Sequence, residues 1–309
     1  MRVVIVGANG FLGSRLAAHL VDVSEDMQLV TDNQRWRLDA LGVNAKTIPL
    51  EEVRWDGTDW IFMLAGLGRP QPLNRSRVSH VGAELALHRA VLEQIARSGS
   101  TAAVAMASSR TVYGRPDHLP VSESAALRPA TAYAAEKVFI EELYTLAARD
   151  MDIRSVRLRI TNPFGPLEWF PGRGHGLLSQ FARQAVDSGK VSVFGDGLQL
   201  RDYVHVSDVS ALLQQIASGP AITGSMAVNV GSGEGTSIAH LARIVAEQAN
   251  AEVHHVTPPV GAAEIDSGDF VADIERARAQ GWSPSVSTPS EMAQVAACEL
   301  RRLESRETE

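Results

Sequence analysis

Short apolar runs recur along the first half of the chain, and each of them predicts a buried β-strand. Their residues are apolar at successive positions instead of alternating with polar ones, which is typical of a parallel sheet covered on both faces. Helical patterns separate the runs, most clearly at 82–98 and 133–149. This alternation predicts a doubly wound α/β sheet. The runs are RVVIV (2–6), MQLVT (27–31), WIFML (60–64), AAVAMAS (102–108) and IRSVRLR (153–159).

The pattern changes after Asn162, where NPFGPLEWFPGRGHG is rich in glycine, proline and aromatic residues and therefore predicts a loop. A helix at 177–188 and a strand at 191–194 are expected next, before the polar loop GDGLQLRD. Two helical patterns in the last third, SIAHLARIVAEQA and PSEMAQVAACELRRL, are typical of a smaller subdomain. The final residues, ESRETE, predict a frayed tail.

Composition narrows the class of protein. The net charge is −7 and no basic patch follows the chain, which disfavours nucleic-acid binding. A single cysteine, Cys298, excludes an internal disulfide and favours a reducing compartment. The opening MRVVIVG is too short for a signal peptide, and no apolar run reaches the roughly 18 residues of a membrane span. We therefore expect a cytoplasmic protein that binds neither nucleic acid nor membranes.

A glycine motif follows the first predicted strand. Gly7, Gly10 and Gly13 are spaced G-x-x-G-x-x-G where that strand gives way to a helix. Glycines let the backbone approach a pyrophosphate, and a helix N-terminus offers it unpaired N–H groups. Asp32 ends the second strand, where a carboxylate accepts both ribose hydroxyls of NAD and repels the 2′-phosphate of NADP. The motif therefore predicts NAD binding. NADP remains an alternative cofactor because Arg35 is close in sequence and could accommodate a 2′-phosphate. The alternative without a cofactor is a plain glycine turn between strand and helix.

A tyrosine and a lysine stand four residues apart in TAYAAEK, although the chain has only four tyrosines and three lysines. Tyr133 and Lys137 therefore share one face of the predicted helix. An ammonium about 4–5 Å from a phenolate stabilises it by roughly 3–4 kcal/mol at an effective dielectric constant of about 20. Such a pair can make Tyr133 a general base toward a hydroxyl or an acid toward a ketone. The alternative is a solvated helix face.

With these motifs, the chain resembles the extended short-chain dehydrogenases/reductases, in particular the NAD-dependent sugar-nucleotide epimerase/dehydratase group. The resemblance implies a Rossmann-type domain formed by residues 1–162 and about 203–232. It also implies a smaller C-terminal α/β subdomain, formed by 163–202 and 233–300, that binds a nucleotide sugar, followed by a polar tail at 301–309. The segments that carry it are GANGFLG, IFMLAG, SSRTVYG, YAAEK, LRITNPFGP, GDGLQLRDYVHVSDV, VNVGSGEGTSI and VADIERARAQGWSP.

The resemblance implies a role for each matching position. Ser109 binds the reacting sugar oxygen, Thr111 supports it, Tyr133 moves the proton, and Lys137 holds the nicotinamide ribose. The implied cofactor-binding residues are Gly7, Gly10, Phe11, Leu12, Gly13, Asp32, Asn33, Leu64, Ala65, Gly66, Tyr133, Lys137 and Ile160. The implied substrate-binding residues are Ser109, Asn162, Leu177, Val193, Phe194 and Arg201.

Two of these interpretations have structural alternatives. Arg201 suits a diphosphate because its planar donor fork matches phosphate oxygens, but it can also form a surface salt bridge with Asp202. His254 and His255 lack a matching carboxylate or cysteine cluster, so we interpret them as strand or surface residues and expect no metal.

The residues after Ser109 indicate which of the family's reactions to expect. Relatives that dehydrate the sugar carry an Asp–Glu pair where this chain has Arg110 and Thr111. SSRTVYG instead resembles the SSATVYG of UDP-hexose 4-epimerases, which implies C4 epimerisation by transient oxidation and re-reduction. An NAD(P)H-dependent 4-ketoreductase or dehydrogenase remains the main alternative. A sensor without chemistry is disfavoured because Ser109, Tyr133 and Lys137 are all present.

Two positions depart from the family pattern. Ala263 stands where relatives usually carry a phosphate-binding arginine, and His80 stands where they usually carry an asparagine. Some 4-ketoreductases also lack that arginine, which keeps the reductase alternative open. The resemblance further implies a homodimer in which the helices at 82–98 and 133–149 form a four-helix bundle.

Overall fold

A parallel sheet of seven strands forms the centre of the molecule, in a computed structural model that describes residues 1–32, 34–66, 82–168, 176–219, 224–258, 268–285, 292–298 and 300–301. Every neighbouring pair in this sheet is parallel, which confirms the predicted α/β class. In spatial order the strands are β10 (Ser225–Val230), β6 (Ser155–Ile160), β5 (Ala103–Ser109), β4 (Trp60–Met63), β1 (Arg2–Val6), β2 (Asp26–Val30) and β3 (Thr47–Ile48).

Helices cover both faces of this sheet, and the apolar strands fill a core on each side. Successive side chains of a strand point to opposite faces. Val3 and Ile5 belong to one core, whereas Val4 and Val6 belong to the other. The first core lies under α1 (Phe11–Leu20), α2 (Trp36–Ala40) and α6 (Val206–Ser218), and the second lies under α3 (Ala83–Ser98) and α4 (Ala132–Asp150).

A smaller unit has its own hydrophobic core, in which Phe181, Val191 and Leu241 are buried. His254 and His255 lie in a strand of this unit, as the sequence predicted. Its elements are α5 (Leu177–Ser188), β8 (Lys190–Phe194), α7 (Ile238–Ala249), β12 (Glu252–Val256), which pairs in parallel with β8, and the helical residues 292–298.

A second sheet has three strands, which are β7 (Asn162–Phe164), β9 (Leu200–His205) and β11 (Gly235–Ser237). The short helix α8 (Glu275–Arg278) follows β12. Phe270, Ile274 and Trp282 lie in the core that α1, α2 and α6 cover. The domain boundaries expected from the sequence place these three residues in the smaller subdomain.

The parallel arrangement places the carboxyl ends of the strands on one edge of the sheet, which is where open α/β sheets bind ligands. Gly7, Asp32, Leu64, Ser109 and Asn162 all stand at or just beyond the end of a strand on this edge. Within the described part of the chain, no helix combines the length and the apolar character needed to cross a membrane.

Candidate active site

A cavity of about 900 Å³ lies at this edge of the sheet and collects most of the predicted site residues. Gly13, Leu177, Val193, Phe194 and Arg201 are not among the residues that line it. Asn33, His80 and Ala263 lie outside the described residues. The predicted residues that do line the cavity are Gly7, Gly10, Phe11, Leu12, Asp32, Leu64, Ala65, Gly66, Ser109, Thr111, Tyr133, Lys137, Ile160 and Asn162.

The glycine loop packs too tightly for side chains. Gly7 has a φ of +86°, and a Cβ there would lie 2.5 Å from the backbone nitrogen of Ala65. A Cβ on Gly13 would lie 2.1 Å from the carbonyl oxygen of Gly7. Gly13 therefore lets α1 approach β1, although it does not line the cavity itself. Gly10 is the N-cap of α1 and makes no side-chain hydrogen bond, and the first turn of α1 carries no acidic residue. The N-terminus of α1 therefore suits a phosphate group, which its backbone N–H groups and dipole would attract.

The residues around Asp32 bear on the choice between NAD and NADP. Asp32 lines this part of the wall, directly after β2. Arg35, whose proximity had kept NADP open, directs its guanidinium elsewhere. It donates to the carboxylate of Asp39 at 2.8 Å, the carbonyl of Val43 at 2.9 Å and the carbonyl of Ala45 at 3.0 Å. Its charged donors are therefore engaged within its own loop, which favours NAD.

Ser109 and Thr111 form one hydroxyl pair at the end of β5. The backbone N–H of Thr111 donates to Ser109 Oγ at 3.2 Å, and Thr111 Oγ1 donates to the same oxygen at 3.0 Å. The pair opens a 3₁₀ turn at Arg110–Tyr113, for which Ser109 is the N-cap. Thr111 therefore fixes the direction of the Ser109 hydroxyl.

Tyr133 and Lys137 lie on the same face of α4, where the spacing put them. Lys137 Nζ is 5.8 Å from the centroid of the Tyr133 ring. Lys137 is buried, and its ammonium donates to the carbonyl of Ala107 at 2.7 Å and to the carboxylate of Glu84. Burial alone would lower the pKa of Lys137, but the charges of Tyr133 and Glu84 raise it above its ordinary value.

Glu84 is a functional candidate that the sequence interpretation missed. It stands in the first turn of α3 and is buried beside His88, whose Nε2 lies 3.8 Å from its carboxylate. Burial alone would raise the pKa of Glu84, but the neighbouring His88 and the charge of Lys137 lower it to about 2. Glu84 is therefore a carboxylate that stays ionised under the cavity.

The sequence carries a signal for this residue. Glu84 and His88 continue the buried stripe of α3 formed by Val91, Leu92 and Ile95, with the i, i+4, i+7, i+8 spacing of one helix face. Two ionisable residues on the buried stripe of an amphipathic helix predict a polar partner on a neighbouring element but do not identify it; in the structure the partner of Glu84 is Lys137 of α4.

The sequence profile of the NAD dependent epimerase/dehydratase family matches residues 3–231. The chain belongs to this family. A UDP-glucose 4-epimerase of Mycolicibacterium smegmatis is 28% identical over 96% of this chain and 97% of its own length. A dTDP-4-dehydro-6-deoxyglucose reductase of Escherichia coli is 30% identical over 58% of this chain and 55% of its own. The structure of MoeE5 in complex with UDP-glucuronic acid and NAD is 25% identical, covers 98% of this chain and 100% of its own, and has a TM-score of 0.80.

Membership in the epimerase/dehydratase family confirms the predicted cofactor, NAD. The cavity fits this group, because the first turn of α1 lacks a side-chain cap at Gly10 and Asp32 stands after β2. Among the described residues, no atom lies within 4 Å of a Cβ placed on Gly66. Gly10 would face the pyrophosphate, Asp32 the adenosine ribose, and Tyr133 and Lys137 the nicotinamide half.

A buried arginine of the epimerase/dehydratase ties the glycine loop to the loop after β7. The side chain of Asn9 accepts from the backbone N–H of Arg37 at 2.9 Å and of Leu38 at 3.4 Å. The Arg37 guanidinium donates to the carbonyls of Asn9, Leu167 and Glu168 at 3.2, 2.9 and 3.3 Å. These hydrogen bonds, which no sequence motif predicted, hold two walls of the cavity together.

Of the two predicted phosphate-binding residues, Asn162 lines the cavity and Arg201 does not. Asn162 lines the cavity and donates from Nδ2 to the carbonyl of Asp202 at 2.7 Å. Arg201 donates to the carbonyls of Leu200 at 2.9 Å and Gly268 at 2.5 Å. The Asp202 carboxylate is buried and accepts from backbone N–H groups, so it does not form a surface salt bridge with Arg201. These donors belong to Ser232, Gly233 and Ala272.

Proposed function

We propose that this epimerase/dehydratase inverts C4 of a nucleotide-activated sugar by transient oxidation and re-reduction. The observation that carries the proposal is the convergence of Ser109, Thr111, Tyr133 and Lys137 on a cavity that also holds the glycine loop. The name of the relative that matches nearly the whole chain, a UDP-glucose 4-epimerase, supports a UDP-hexose as the substrate.

The chain's own residues supply the proton chemistry. Tyr133 removes the proton of the C4 hydroxyl, while Ser109, oriented by Thr111, hydrogen-bonds the same oxygen. When bound, NAD supplies the acceptor and then the donor of the hydride at the sugar carbon. Tyr133 returns its proton after the 4-keto sugar has turned its other face toward the cofactor. The overall reaction therefore consumes neither protons nor cofactor.

Lys137 stabilises the phenolate of Tyr133 electrostatically. If the negative charge is placed at the ring centroid, 5.8 Å from the ammonium, an isolated ammonium contributes about 3 kcal/mol at an effective dielectric constant of about 20. The Glu84 carboxylate offsets part of this field, because it contacts the same ammonium. The contribution in the folded protein is therefore smaller than the spacing alone implied.

A reductase is the second candidate, because a dTDP-4-dehydro-6-deoxyglucose reductase is 30% identical over more than half of the chain. The same residues would then act once. Tyr133 would donate a proton to the C4 oxygen of a keto sugar as a hydride reaches the carbon. The two activities differ in stoichiometry, since a reductase consumes one reduced cofactor per product.

Incubation of purified protein with UDP-glucose tests the proposal. We expect UDP-galactose to form with no net change in nicotinamide absorbance, and NAD to appear by mass spectrometry among the small molecules released on denaturation. The variant Tyr133→Phe serves as the matched control, because it removes one hydroxyl. Stoichiometric oxidation of added NADH with a keto sugar, and no epimer, would favour the reductase.

We also propose a homodimer through α3 and α4. Phe139 and Leu146 lie seven residues apart on α4 and are 58% and 46% exposed, on the side away from the sheet. Exposed apolar side chains at this spacing form the seam of a helix bundle. A monomeric mass in solution at micromolar concentration would contradict the dimer.

A further inference from the structure

Beneath the cavity, α3 and α4 are joined by a buried ion pair. Glu84 is 1% exposed and Lys137 is 3% exposed. The Glu84 carboxylate accepts from the Lys137 ammonium, which also donates to the carbonyl of Ala107 on β5. The tip of the lysine is thereby fixed by one contact from a helix and one from a strand. Its position beside Tyr133 depends on both contacts.

A buried lysine needs a counter-charge to keep its proton. Fully buried lysines with pKa values as low as about 5–6 are documented. Among the described residues, the ionisable groups that face Lys137 are Tyr133 and Glu136 from α4 and Glu84 and His88 from α3. Burial lowers the pKa of His88, so it does not supply a positive charge that competes.

The two carboxylates near Lys137, those of Glu84 and Glu136, have different hydrogen-bond partners. Glu136 accepts from the backbone N–H of Gly82 at 3.1 Å and of Leu85 at 3.0 Å, so it caps the start of α3. Glu84 contacts the ammonium itself. Of the two carboxylates, Glu84 is therefore the one that neutralises the Lys137 ammonium by direct contact.

We propose that Glu84 is a positioning residue of this enzyme, which keeps the Lys137 side chain charged and fixed beside Tyr133. The role in turnover rests on the proposed function, in which Tyr133 moves the proton, whereas the ion pair itself does not. Glu84 acts through Lys137 and needs no contact with cofactor or substrate.

The proposal predicts the direction of a change with pH. Glu84 raises the pKa of Lys137, so the ammonium survives to higher pH with it than without it. In Glu84→Gln the burial of Lys137 is no longer opposed by this carboxylate, and the proton is lost at lower pH. The alkaline limb of the kcat profile then moves toward acid, and kcat at alkaline pH falls by about 10²-fold, with KM changed far less.

NMR titration of isotope-labelled lysine side chains in the protein as purified, with no substrate added, tests the ion pair directly. The chain has three lysines, and Lys46 and Lys190 are exposed internal references. In the wild type we expect the Lys137 signal to remain that of an ammonium through the pH range in which the references titrate. In Glu84→Gln it should lose its proton before they do. Glu84→Asp should restore much of the wild-type behaviour, and the control Glu136→Gln should move the signal far less.

A Lys137 signal unchanged by Glu84→Gln, or moved equally by Glu136→Gln, overturns the proposal. If Glu84→Gln does not fold, the wild type decides, because a Lys137 signal that loses its proton before the references is incompatible with the role. The titration needs neither cofactor nor substrate, so it is independent of the proposed function. A Lys137 signal that follows Glu84 in a protein without epimerase activity would refute only the proposed reaction.

Discussion

Replacing Lys137 with methionine removes the partner of a buried carboxylate, and the resulting loss of stability should depend on pH. The pKa of Glu84 lies at about 2 in the folded protein, against an ordinary value of 4.5. A carboxyl with this depression contributes about 3 kcal/mol to the free energy of unfolding at neutral pH. Breaking a buried ion pair by removing one partner typically costs about 3–5 kcal/mol. The hydrogen bond with His88 accounts for part of the depressed Glu84 pKa and remains in the variant. We therefore expect Lys137→Met to lose about 3 kcal/mol near neutral pH, at the lower end of the range for a broken buried pair.

The sign of the pH dependence follows from the depressed pKa of Glu84. The stabilisation is fully present above 4.5 and disappears as the pH falls through about 2. Denaturant unfolding of both proteins at several pH values measures the difference, with Lys190→Met as a control at an exposed lysine. The difference between wild type and Lys137→Met should shrink across this window. A difference that is constant with pH, or below about 1 kcal/mol near neutrality, would refute the reasoning.

Three further predictions concern the cavity and its supports. Tyr133→Phe should lower kcat by about 10²–10⁴-fold, measured as epimer formed, while the NAD released from the denatured protein is unchanged. Gly13→Ala should reduce NAD content and thermal stability, because its Cβ would lie 2.1 Å from the carbonyl oxygen of Gly7; an unchanged NAD content and melting temperature would contradict this. Arg159→Met should cost about 3–5 kcal/mol in denaturant unfolding, since it leaves the buried Glu141 carboxylate without the guanidinium that binds it at 2.7 Å; a loss below about 1 kcal/mol would show that the pair is unimportant.

The sheet was predictable because its strands are apolar on both faces. β1 was predicted at its observed bounds, and the other predicted strands lie within one or two residues of theirs. β3 was missed because a two-residue strand carries no periodic signal. β10 was also missed. Its sequence, SMAVNV, includes the polar residue Asn229, which interrupts the apolar run. The buried Asn229 side chain accepts from the Tyr113 hydroxyl and donates to the carbonyl of Val121, and no local sequence pattern reveals these distant partners.

The site was predictable where short motifs fix both residue and position. Tyr133, Lys137 and Ser109 line one cavity because parallel strands and the helices after them meet at one edge of the sheet. Spacing could not reveal the partner of Lys137, since Glu84 is contributed by another helix. The electrostatic effect expected from the Tyr133–Lys137 spacing alone therefore applies to an isolated ammonium. Arg201 illustrates the reverse, because a matching motif did not bring its side chain to the cavity wall.

In the proposed epimerisation, the hydrogen at C4 of the sugar leaves and returns within one active site. This transfer can be followed by turnover of UDP-glucose carrying deuterium at C4, with mass spectrometry and NMR of the product. We expect UDP-galactose that keeps the deuterium at C4 and gains none of the solvent's hydrogen there. Loss of the label to water, or its net accumulation in reduced cofactor without epimer, would contradict it.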